Sequence, residues 1–352
     1  MNDKKVMSNA EFKEKARQHQ IAFREDDEIG VPAKDETCPE DEANYPIIRN
    51  PRRKEPIRVR SSLLWKDAKD EYGFRIFYSR FREEITKRIY VWLKKNPDAK
   101  IGPLVTNLLR SEHIPYNVFY PMLKDKKGAS DLFNNLLNTD RIHSVDDVMI
   151  EYNPKTLKDG TSFDVYIEYR TKDNKKGGIG IEVKFTEKEY PLKVKDRYGE
   201  YTKEYKETHD ISSGDICLSE NYLIPSRESG WFKTEAISSV PLSQVERRTK
   251  HVVMNHYRQI WRNHILGASM ILPNKEGVHL DEFISLTVYP KDNGHFSSEL
   301  WSDYENMLND AGKATFRHMT YEELFPKMRK YLRNVPHIDH WIDYLERRYF
   351  II

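Results

Sequence analysis

Cysteine is nearly absent from the sequence: the 352-residue chain contains only Cys38 and Cys217. Their wide separation, with no Cys-x-x-Cys pair, excludes a disulfide framework and a cysteine-based zinc site, and is typical of the reducing cytoplasm. Long apolar runs are lacking too, since the longest mostly apolar stretch, 265–272, is far shorter than the ~20 residues that a membrane-spanning helix needs. The first residues contain no apolar segment of the kind found in secretion signals. We therefore expect a cytoplasmic protein that does not bind membranes.

A strong excess of one charge is also missing. The 58 lysines and arginines nearly balance the 56 aspartates and glutamates, which gives a formal net charge of +2. Binding to a polyanion must therefore come from a local basic patch. The sequence contains neither G-x-x-x-x-G-K-[ST] nor G-x-S-x-G, which excludes a P-loop nucleotide site and the nucleophile elbow of serine hydrolases.

Charge is unevenly distributed near the N-terminus. Residues 24–44 are acidic, poor in large apolar side chains and interrupted by two prolines, a composition typical of flexible segments. Residues 49–60 are basic and predict either an arm that contacts nucleic acid or a solvated linker. A second Lys/Arg-rich stretch, 172–206, would contact phosphates in the same way. We divide the chain into a flexible, acidic then basic extension, a core, and a C-terminal helical region packed on that core: residues 1–60, 61–295 and 296–352.

Hydrophobic periodicity predicts the order of the secondary structure elements. Apolar residues recur at helical spacing in four regions: 61–96, Leu104–Leu109, 243–270 and from 297 onward. Alternating β-branched and aromatic residues predict four strands, of which the first three form an antiparallel meander: 148–152, 163–169, 178–185 and 283–289. This order predicts an α+β or α/β fold with a central mixed sheet flanked by helices, and with helical additions at both ends.

One predicted strand carries an unusual pair of charges. In the sequence GIGIEVKF, alternation places Glu182 and Lys184 on one face, flanked by apolar residues and glycines. Charged groups lose hydration in such a setting, and a functional site is the usual reason for keeping them there. Asp164 begins the preceding strand and would lie near the end of its antiparallel neighbour. Two carboxylates that meet repel each other unless a cation separates them, and oxygen ligands without Cys or His favour Mg²⁺ or Mn²⁺.

An Asp on one strand followed by Glu-x-Lys on the next resembles the pattern of the PD-(D/E)xK superfamily of restriction-endonuclease-like nucleases, in particular a bacterial branch of it. The resemblance implies that Asp164, Glu182 and the main-chain carbonyl of Val183 bind the divalent ion. It also implies that Lys184 assists the attacking water. Here the aspartate follows Phe163, where the pattern has proline. The alternative interpretation of the three charged side chains is an ordinary set of ion pairs on a sheet face.

Residues outside the strands extend the resemblance, which covers residues 105–290. In the family an upstream acid completes the metal shell, and the segment RSEHIPYNVFYP offers Glu112, which is otherwise a surface acid at a helix end. Weaker candidates for the same position are Glu83, Glu84 and Glu151. The segment QIWRN places Gln259, Arg262 and Asn263 on one helix face. Gln259 and Arg262 would hold the scissile phosphate or the active-site carboxylates, or else belong to a solvated face.

We therefore predict a restriction-endonuclease-like core and a Mg²⁺-dependent endonuclease that hydrolyses phosphodiester bonds in DNA. A second hypothesis is the same fold without catalysis, acting as a nucleic-acid- or protein-binding module. A third regards the helical ends as an oligomerisation platform, and a homodimer is compatible with it. The sequence leaves open whether the substrate is duplex, single-stranded or branched DNA, or RNA, and which sequence is recognised.

Overall fold

The computed structural model describes most of the chain: residues 7–24, 47–48, 57–58, 69–98, 101–157, 159–188, 195–210, 215–237, 240–241 and 258–351. Most of the acidic segment 24–44 lies outside these residues. The same is true of most of the basic run 49–60 and of the first part of the helix predicted over 243–270.

The helices of this part of the chain vary from one turn to four. In chain order they are α1 (Asn9–Arg24), α2 (Arg82–Lys95), α3 (Gly102–Thr106), α4 (Ile114–Val118), α5 (Lys126–Leu136), α6 (Lys203–Thr208), α7 (Glu220–Glu228), α8 (Thr234–Ile237), α9 (Arg258–Ile271), α10 (Ser298–Glu305), α11 (Asp310–Ala314), α12 (Tyr321–Tyr331) and α13 (Ile338–Tyr349). A 3₁₀ helix, Tyr120–Lys124, precedes α5. Among the residues searched, none of these helices is long and apolar enough to cross a membrane.

The strands fall into one large sheet and several small ones. In chain order they are β1 (Ile47–Ile48), β2 (Ile57–Arg58), β3 (Lys69–Asp70), β4 (Gly73–Phe74), β5 (Ile142–Tyr152), β6 (Phe163–Thr171), β7 (Lys176–Val183), β8 (His209–Asp210), β9 (Asp215–Leu218), β10 (Val240–Pro241), β11 (Glu282–Tyr289) and β12 (Phe316–Thr320). The large sheet has the order β12-β11-β7-β6-β5. The small sheets pair β1 with β2, β3 with β4, and β9 with both β8 and β10.

The large sheet is mixed, as predicted. β5, β6 and β7 form the predicted antiparallel meander. β11 then pairs with β7 in parallel, and β12 pairs in parallel with β11. A parallel neighbour needs a crossover connection, and the chain between β7 and β11 contains α9, which packs on both strands. The predicted central mixed sheet flanked by helices is therefore confirmed, with β7 at its centre.

Helices cover both faces of this sheet. One hydrophobic cluster joins strand side chains such as Ile181 and Val183 to α1, α2, α5, α12 and α13. The other joins Tyr166 and Phe283 to α7, α8, α9 and α10. Because side chains alternate along a strand, Glu182, between Ile181 and Val183, points toward the layer that contains α9.

The N-terminal residues differ from the expectation of a flexible extension. Residues 9–24 form α1, in which Phe12 and Ala16 are fully buried. The side-chain amide of Gln20 donates a hydrogen bond to the carbonyl of Arg348 in α13 at 2.6 Å. Phe12, Ala16 and Gln20 are spaced four residues apart and are all buried, so one face of the helix packs as part of the core even though an acidic segment follows it.

The helix predicted over 61–96 is wrong in its first part. α2 begins only at Arg82, and residues 69–74 contain the β3–β4 pair, with Gly73 at a φ of 124°. Tyr72, which belongs to the periodic apolar residues of this predicted helix, is 53% exposed. Turns bury the apolar residues between β4 and α2, and this produces a helix-like spacing without a helix.

Two smaller differences concern α3 and β12. The helix predicted over Leu104–Leu109 is confirmed only as far as Thr106, where α3 ends. The C-terminal helices are confirmed, but the fifth strand, β12, was not predicted because its sequence, FRHMT, is short and largely polar. The C-terminal region thus contributes an edge strand to the central sheet in addition to its helices.

Gly267 allows α9 to lie directly on β11. A Cβ at this position would overlap the ring of Phe283. In a helix interior, alanine is normally more favourable than glycine by about 1 kcal/mol. Here the overlap with the Phe283 ring reverses this preference. We expect Gly267→Ala to lower the free energy of unfolding, measured with urea, by about 1–3 kcal/mol.

Gly102→Ala is the matched control, because no described atom lies within 4 Å of its new Cβ. This variant should be as stable as the wild type or slightly more stable. A Gly267→Ala protein with wild-type stability would contradict the close packing of α9 on the sheet.

Candidate active site

Strands β6 and β7 bring Asp164 and Glu182 opposite each other. The last paired residues at this end are Val165 and Ile181. The next residues outward are therefore Asp164 and Glu182, which face each other across an antiparallel pair and share one face of the sheet. Oδ2 of Asp164 also accepts a hydrogen bond from the main-chain N–H of Val183 at 2.7 Å. The Asp164 side chain thus caps the pairing where β6 begins.

Glu182 and Lys184 form a buried ion pair at the end of β7. Nζ of Lys184 lies 2.5 Å from Oε1 of Glu182, and the two side chains are 3% and 9% exposed. The other carboxylate oxygen, Oε2, accepts a hydrogen bond from the side-chain amide of Asn263. Nζ of Lys184 also donates to Oε1 of Gln259 at 2.6 Å. Both charged groups are therefore held by α9 as well as by each other.

The spacing of helix and strand explains why α9 reaches both groups. Gln259 and Asn263 are four residues apart, so they lie about 6 Å apart along the helix axis. Glu182 and Lys184 are two residues apart on an extended chain, which corresponds to about 6.6 Å. With α9 packed on β7, one helical turn matches two strand residues, and each amide meets one charged group.

Negative charge is concentrated beside this ion pair. Desolvation raises the pKa of the Asp164 carboxyl well above its usual range, and the carboxylates of Glu182 and Glu151 raise it further, although Lys184 acts in the opposite direction. Glu151 lies on β5 at a φ of 54°. Desolvation of its carboxyl and the charge of Glu182 raise the pKa of Glu151 to about 7. The carboxyl groups of Asp164, Glu182 and Glu151 thus lie close enough to affect one another, with Lys184 as the cation beside them. Such an excess of carboxyl groups favours a bound cation.

Arg262, on the same face of α9, is anchored on the loop before β6. Its Nη2 lies 2.5 Å from Oδ2 of Asp159 and 2.5 Å from Oγ1 of Thr161. The Asp159 side chain is fully buried, and that of Arg262 is 18% exposed. Burial acts to raise the pKa of Asp159, but Arg262 and the hydrogen bonds from Thr161 and Tyr222 outweigh it, so the pKa is lowered. The carboxylate therefore stays ionised.

The strand and helix residues surround a common cavity of about 260 Å³. Carboxylates, side-chain amides and one guanidinium group line it, together with the loop before β6: Gly160, Thr161, Ser162, Asp164, Glu182, Gln259, Arg262 and Asn263. The cavity is strongly polar, and opposite charges meet at its wall.

The donor chemistry of this cavity fits a hard divalent cation. Asp164 and Glu182 supply carboxylate oxygens, the ligands that Mg²⁺ and Mn²⁺ prefer. Nearby, Oε2 of Glu112 is buried and accepts no hydrogen bond from any residue that the structure describes. Within the same residues, no three acidic, histidine or cysteine side chains lie close enough together to form a metal-binding group. The cavity wall thus supplies two carboxylates, and further ligands would come from an upstream acid, the main chain, water or substrate.

The upstream acids lie outside the set that lines the cavity. Glu112 pairs with Arg110 at 2.7 Å; burial raises the pKa of its carboxyl, although Arg110 acts against the shift. Glu83 and Glu84, on α2, each pair with a nearby lysine. Of the four upstream acids considered from the sequence, Glu151 is the one whose charge acts on the strand aspartate.

Three residues that hold the charged groups of the cavity in place, Asn263, Asp159 and Thr161, have no role in the sequence-based prediction. Asn263 belongs to the QIWRN segment, and its four-residue spacing from Gln259 was the signal that it would act together with Gln259 on one face. Asp159 and Thr161 precede β6 in the segment DGTSFD. Nothing in that polar, turn-like sequence separates them from ordinary loop residues, because their partner Arg262 is about a hundred residues away in the chain.

The basic turn after β6 lies at the opposite end of the sheet from the cavity. Lys176 precedes Glu182 by six residues on one strand, a distance of about 20 Å. The cations near this turn also pair with carboxylates: Arg170 with Asp146, Lys172 with Asp140, Lys175 with Asp173 and Lys176 with Glu168. This part of the stretch 172–206 is therefore neutralised and remote from the cavity.

Asp164→Asn is expected to stabilise the metal-free protein at about pH 8. Because the pKa of Asp164 is higher in the folded than in the unfolded chain, the wild type loses stability as the pH rises from ~4 toward the folded pKa. Asparagine keeps an acceptor for the Val183 N–H but carries no charge. Its melting temperature in EDTA should exceed that of the wild type by about 2 °C or more at about pH 8, and the difference should vanish near pH ~4.

Asp173→Asn serves as the control of opposite sign, because hydrogen bonds from Thr171 and Lys175 lower the pKa of Asp173. Its loss of stability should appear above pH ~4. An Asp164→Asn protein that becomes less stable than the wild type as the pH rises would contradict the crowding of carboxylates.

Comparison with known proteins identifies the family. A family model described as the PD-(D/E)XK nuclease superfamily matches residues 7–351, nearly the whole chain and more than the 105–290 covered by the resemblance seen in the sequence. Neither the search of curated proteins nor that of solved structures found a match. The mixed five-stranded sheet flanked by helices agrees with the restriction-endonuclease-like fold expected for this family. The chain therefore belongs to the PD-(D/E)XK nuclease superfamily.

Proposed function

We propose that the protein is a metal-dependent nuclease that hydrolyses phosphodiester bonds in DNA at the cavity between β6, β7 and α9. One observation carries this proposal: Asp164, Glu182 and Lys184 meet at the ends of two adjacent strands, beside a polar cavity. Membership of a nuclease superfamily implies a nucleic-acid substrate, and members of this superfamily typically use divalent metals.

Asp164 and Glu182 are the proposed protein ligands of Mg²⁺ or Mn²⁺, together with the main-chain carbonyl of Val183. Glu112 is the proposed upstream acid, and its buried oxygen without a partner among the described residues supports that role. When bound, a divalent ion supplies positive charge that stabilises a phosphoryl oxygen and lowers the pKa of water. Because a carboxyl group binds a metal ion in its deprotonated form, the raised pKa of Asp164 would make the affinity for the ion increase with pH.

Lys184 is the proposed catalytic amine. Its ammonium group is held in one orientation by Oε1 of Glu182 and Oε1 of Gln259. A preorganised cation in a partly desolvated site stabilises the negative charge that develops on the phosphate and orients the attacking water. Asn263 fixes the second oxygen of Glu182, so the carboxylate presents a defined geometry to the cavity.

Arg262 is the proposed contact to the substrate phosphate. Its guanidinium group lines the cavity and is held by Asp159 and Thr161. Planar guanidinium groups bind phosphate through two parallel hydrogen bonds. The cations near the turn after β6 are paired and distant, whereas among the described residues Arg262 on α9 lines the cavity itself.

Replacement of the strand residues is expected to abolish cleavage. Asp164→Ala and Lys184→Ala should each reduce the cleavage rate by about 10²–10⁴-fold, since each removes a group that acts on the transition state. The assay uses supercoiled plasmid and single-stranded DNA with Mg²⁺ or Mn²⁺. Asp146→Asn, which removes a carboxylate at the far end of the sheet, is the control and should cleave at the wild-type rate. Equal cleavage by all four proteins would remove the assignment.

Gln259→Ala should distinguish the role of the Lys184 amine from the role of the metal ligands. Lys184 loses the acceptor that orients it, so we expect the single-turnover rate to fall by about 10–100-fold while the affinity for Mn²⁺ changes by less than about twofold. Asn263→Ala, one turn further along α9, removes the donor to Glu182 and should instead weaken Mn²⁺ binding. Calorimetry and rapid-quench cleavage measure the two effects, and a pattern in which both variants behave alike would refute this division of roles.

The second candidate function is a binding module with the same fold and no catalysis. One observation favours it: both carboxylate oxygens of Glu182 are already engaged, by Lys184 and by Asn263. Titration calorimetry separates the two candidates. A nuclease should bind Mn²⁺ with heat that disappears in Glu182→Gln, whereas a binding module should give no divalent-ion heat that depends on Glu182.

A further inference from the structure

The loop before β6 contains a fully buried carboxylate to which the proposed reaction gives no role of its own. Asp159 accepts hydrogen bonds from Nη2 of Arg262, from the hydroxyl of Tyr222, and from both the hydroxyl and the main-chain N–H of Thr161. Burying an anion is unfavourable unless it is paired and hydrogen-bonded, and here both conditions are met. Four hydrogen-bond donors therefore fix the position of the Asp159 carboxylate.

Arg262 lies where it could bind the carboxylates of the site as well as a substrate phosphate. Its guanidinium group lines the same 260 Å³ cavity as Asp164 and Glu182. Guanidinium groups pair with carboxylates through two parallel hydrogen bonds, and the attraction is strong in a partly desolvated cavity. If Arg262 turned toward the two carboxylates, it would occupy the oxygens that a divalent ion needs.

We propose that Asp159 is a positioning residue that holds Arg262 against the loop and keeps its guanidinium group away from Asp164 and Glu182. The two carboxylates then remain available to the divalent ion, and Arg262 remains available to phosphate. This inference rests on the proposed function, since it takes Asp164 and Glu182 as the metal ligands.

The contacts around Asp159 and Glu182 support Asp159 as the preferred partner of Arg262. Asp159 is fully buried and lies 2.5 Å from Nη2 of Arg262, while Thr161 adds a second acceptor for the same nitrogen. Glu182 is already paired with Lys184. Of the described residues that line the cavity with Arg262, only Asp164 and Glu182, the proposed metal ligands, carry carboxylates.

Mn²⁺ titration of the full chain, without DNA, tests the inference through a double-mutant cycle. Asp159→Asn keeps the shape of the side chain but removes its charge, and should weaken Mn²⁺ binding by about tenfold, equivalent to about 1.4 kcal/mol. Arg262→Gln removes the competing cation and should leave the affinity unchanged or higher. The double variant should return to within about threefold of the wild type. If Asp159 served only to stabilise the fold, the double variant would bind Mn²⁺ no better than Asp159→Asn.

Thr161→Val provides a second variant in case Asp159→Asn does not fold. It removes one acceptor of Arg262 but keeps both charges, and should weaken Mn²⁺ binding by about two- to threefold. Asp146→Asn is the control, because Asp146 pairs with Arg170 at 3.3 Å at the other end of the sheet, and it should bind Mn²⁺ as the wild type does. Thr161→Val with wild-type affinity, or Arg262→Gln with weakened affinity, would contradict the inference.

The outcomes separate this inference from the proposal on which it rests. A wild-type protein that binds no Mn²⁺ would overturn both. Wild-type binding that depends on Asp164, together with unchanged affinity in Asp159→Asn or no recovery in the double variant, would overturn the role of Asp159 alone.

Discussion

The site depends on a buried ion pair between two residues of the central strand. Glu182 and Lys184 lie almost out of contact with solvent, where charged groups are stable only if they are paired and hydrogen-bonded. α9 supplies the missing hydrogen bonds, because one helical turn from Gln259 to Asn263 matches two residues of β7. Gly267 lets the helix approach the sheet closely enough for this match. Fold and site are thus coupled through the packing of one helix on one sheet.

The same packing leaves the cavity short of positive charge. Lys184 is committed to Glu182, and Arg262 is committed to Asp159 on the neighbouring loop. Asp164 therefore faces other carboxylates, and its pKa is raised. Such crowding of carboxylates costs stability, and groups that repel each other in this way are common where function requires them. In the proposed function, the pairing of Arg262 with Asp159 separates the phosphate contact from the carboxylates that would hold the metal.

The sequence predicts the centre of the fold better than its periphery. Alternation in β6 and β7 is strong, so the meander and the shared face of Glu182 and Lys184 follow from the pattern alone. The first part of the helix predicted over 61–96 is wrong because turns also space apolar residues by three or four. β12 was missed because a short edge strand has little alternation. The partners Asp159 and Arg262 are about a hundred residues apart, and only tertiary structure brings them together.

Anomalous diffraction from a crystal soaked in Mn²⁺ would test the central claim most directly. A peak bound by both Asp164 and Glu182, with the ammonium group of Lys184 beside it, is the result that this account predicts. Carboxylate oxygens at distances of about 2.0–2.2 Å from the ion would show direct binding. No peak in this cavity, or an ion held by other residues while Glu182 stays paired with Lys184 and Asn263, would contradict the account.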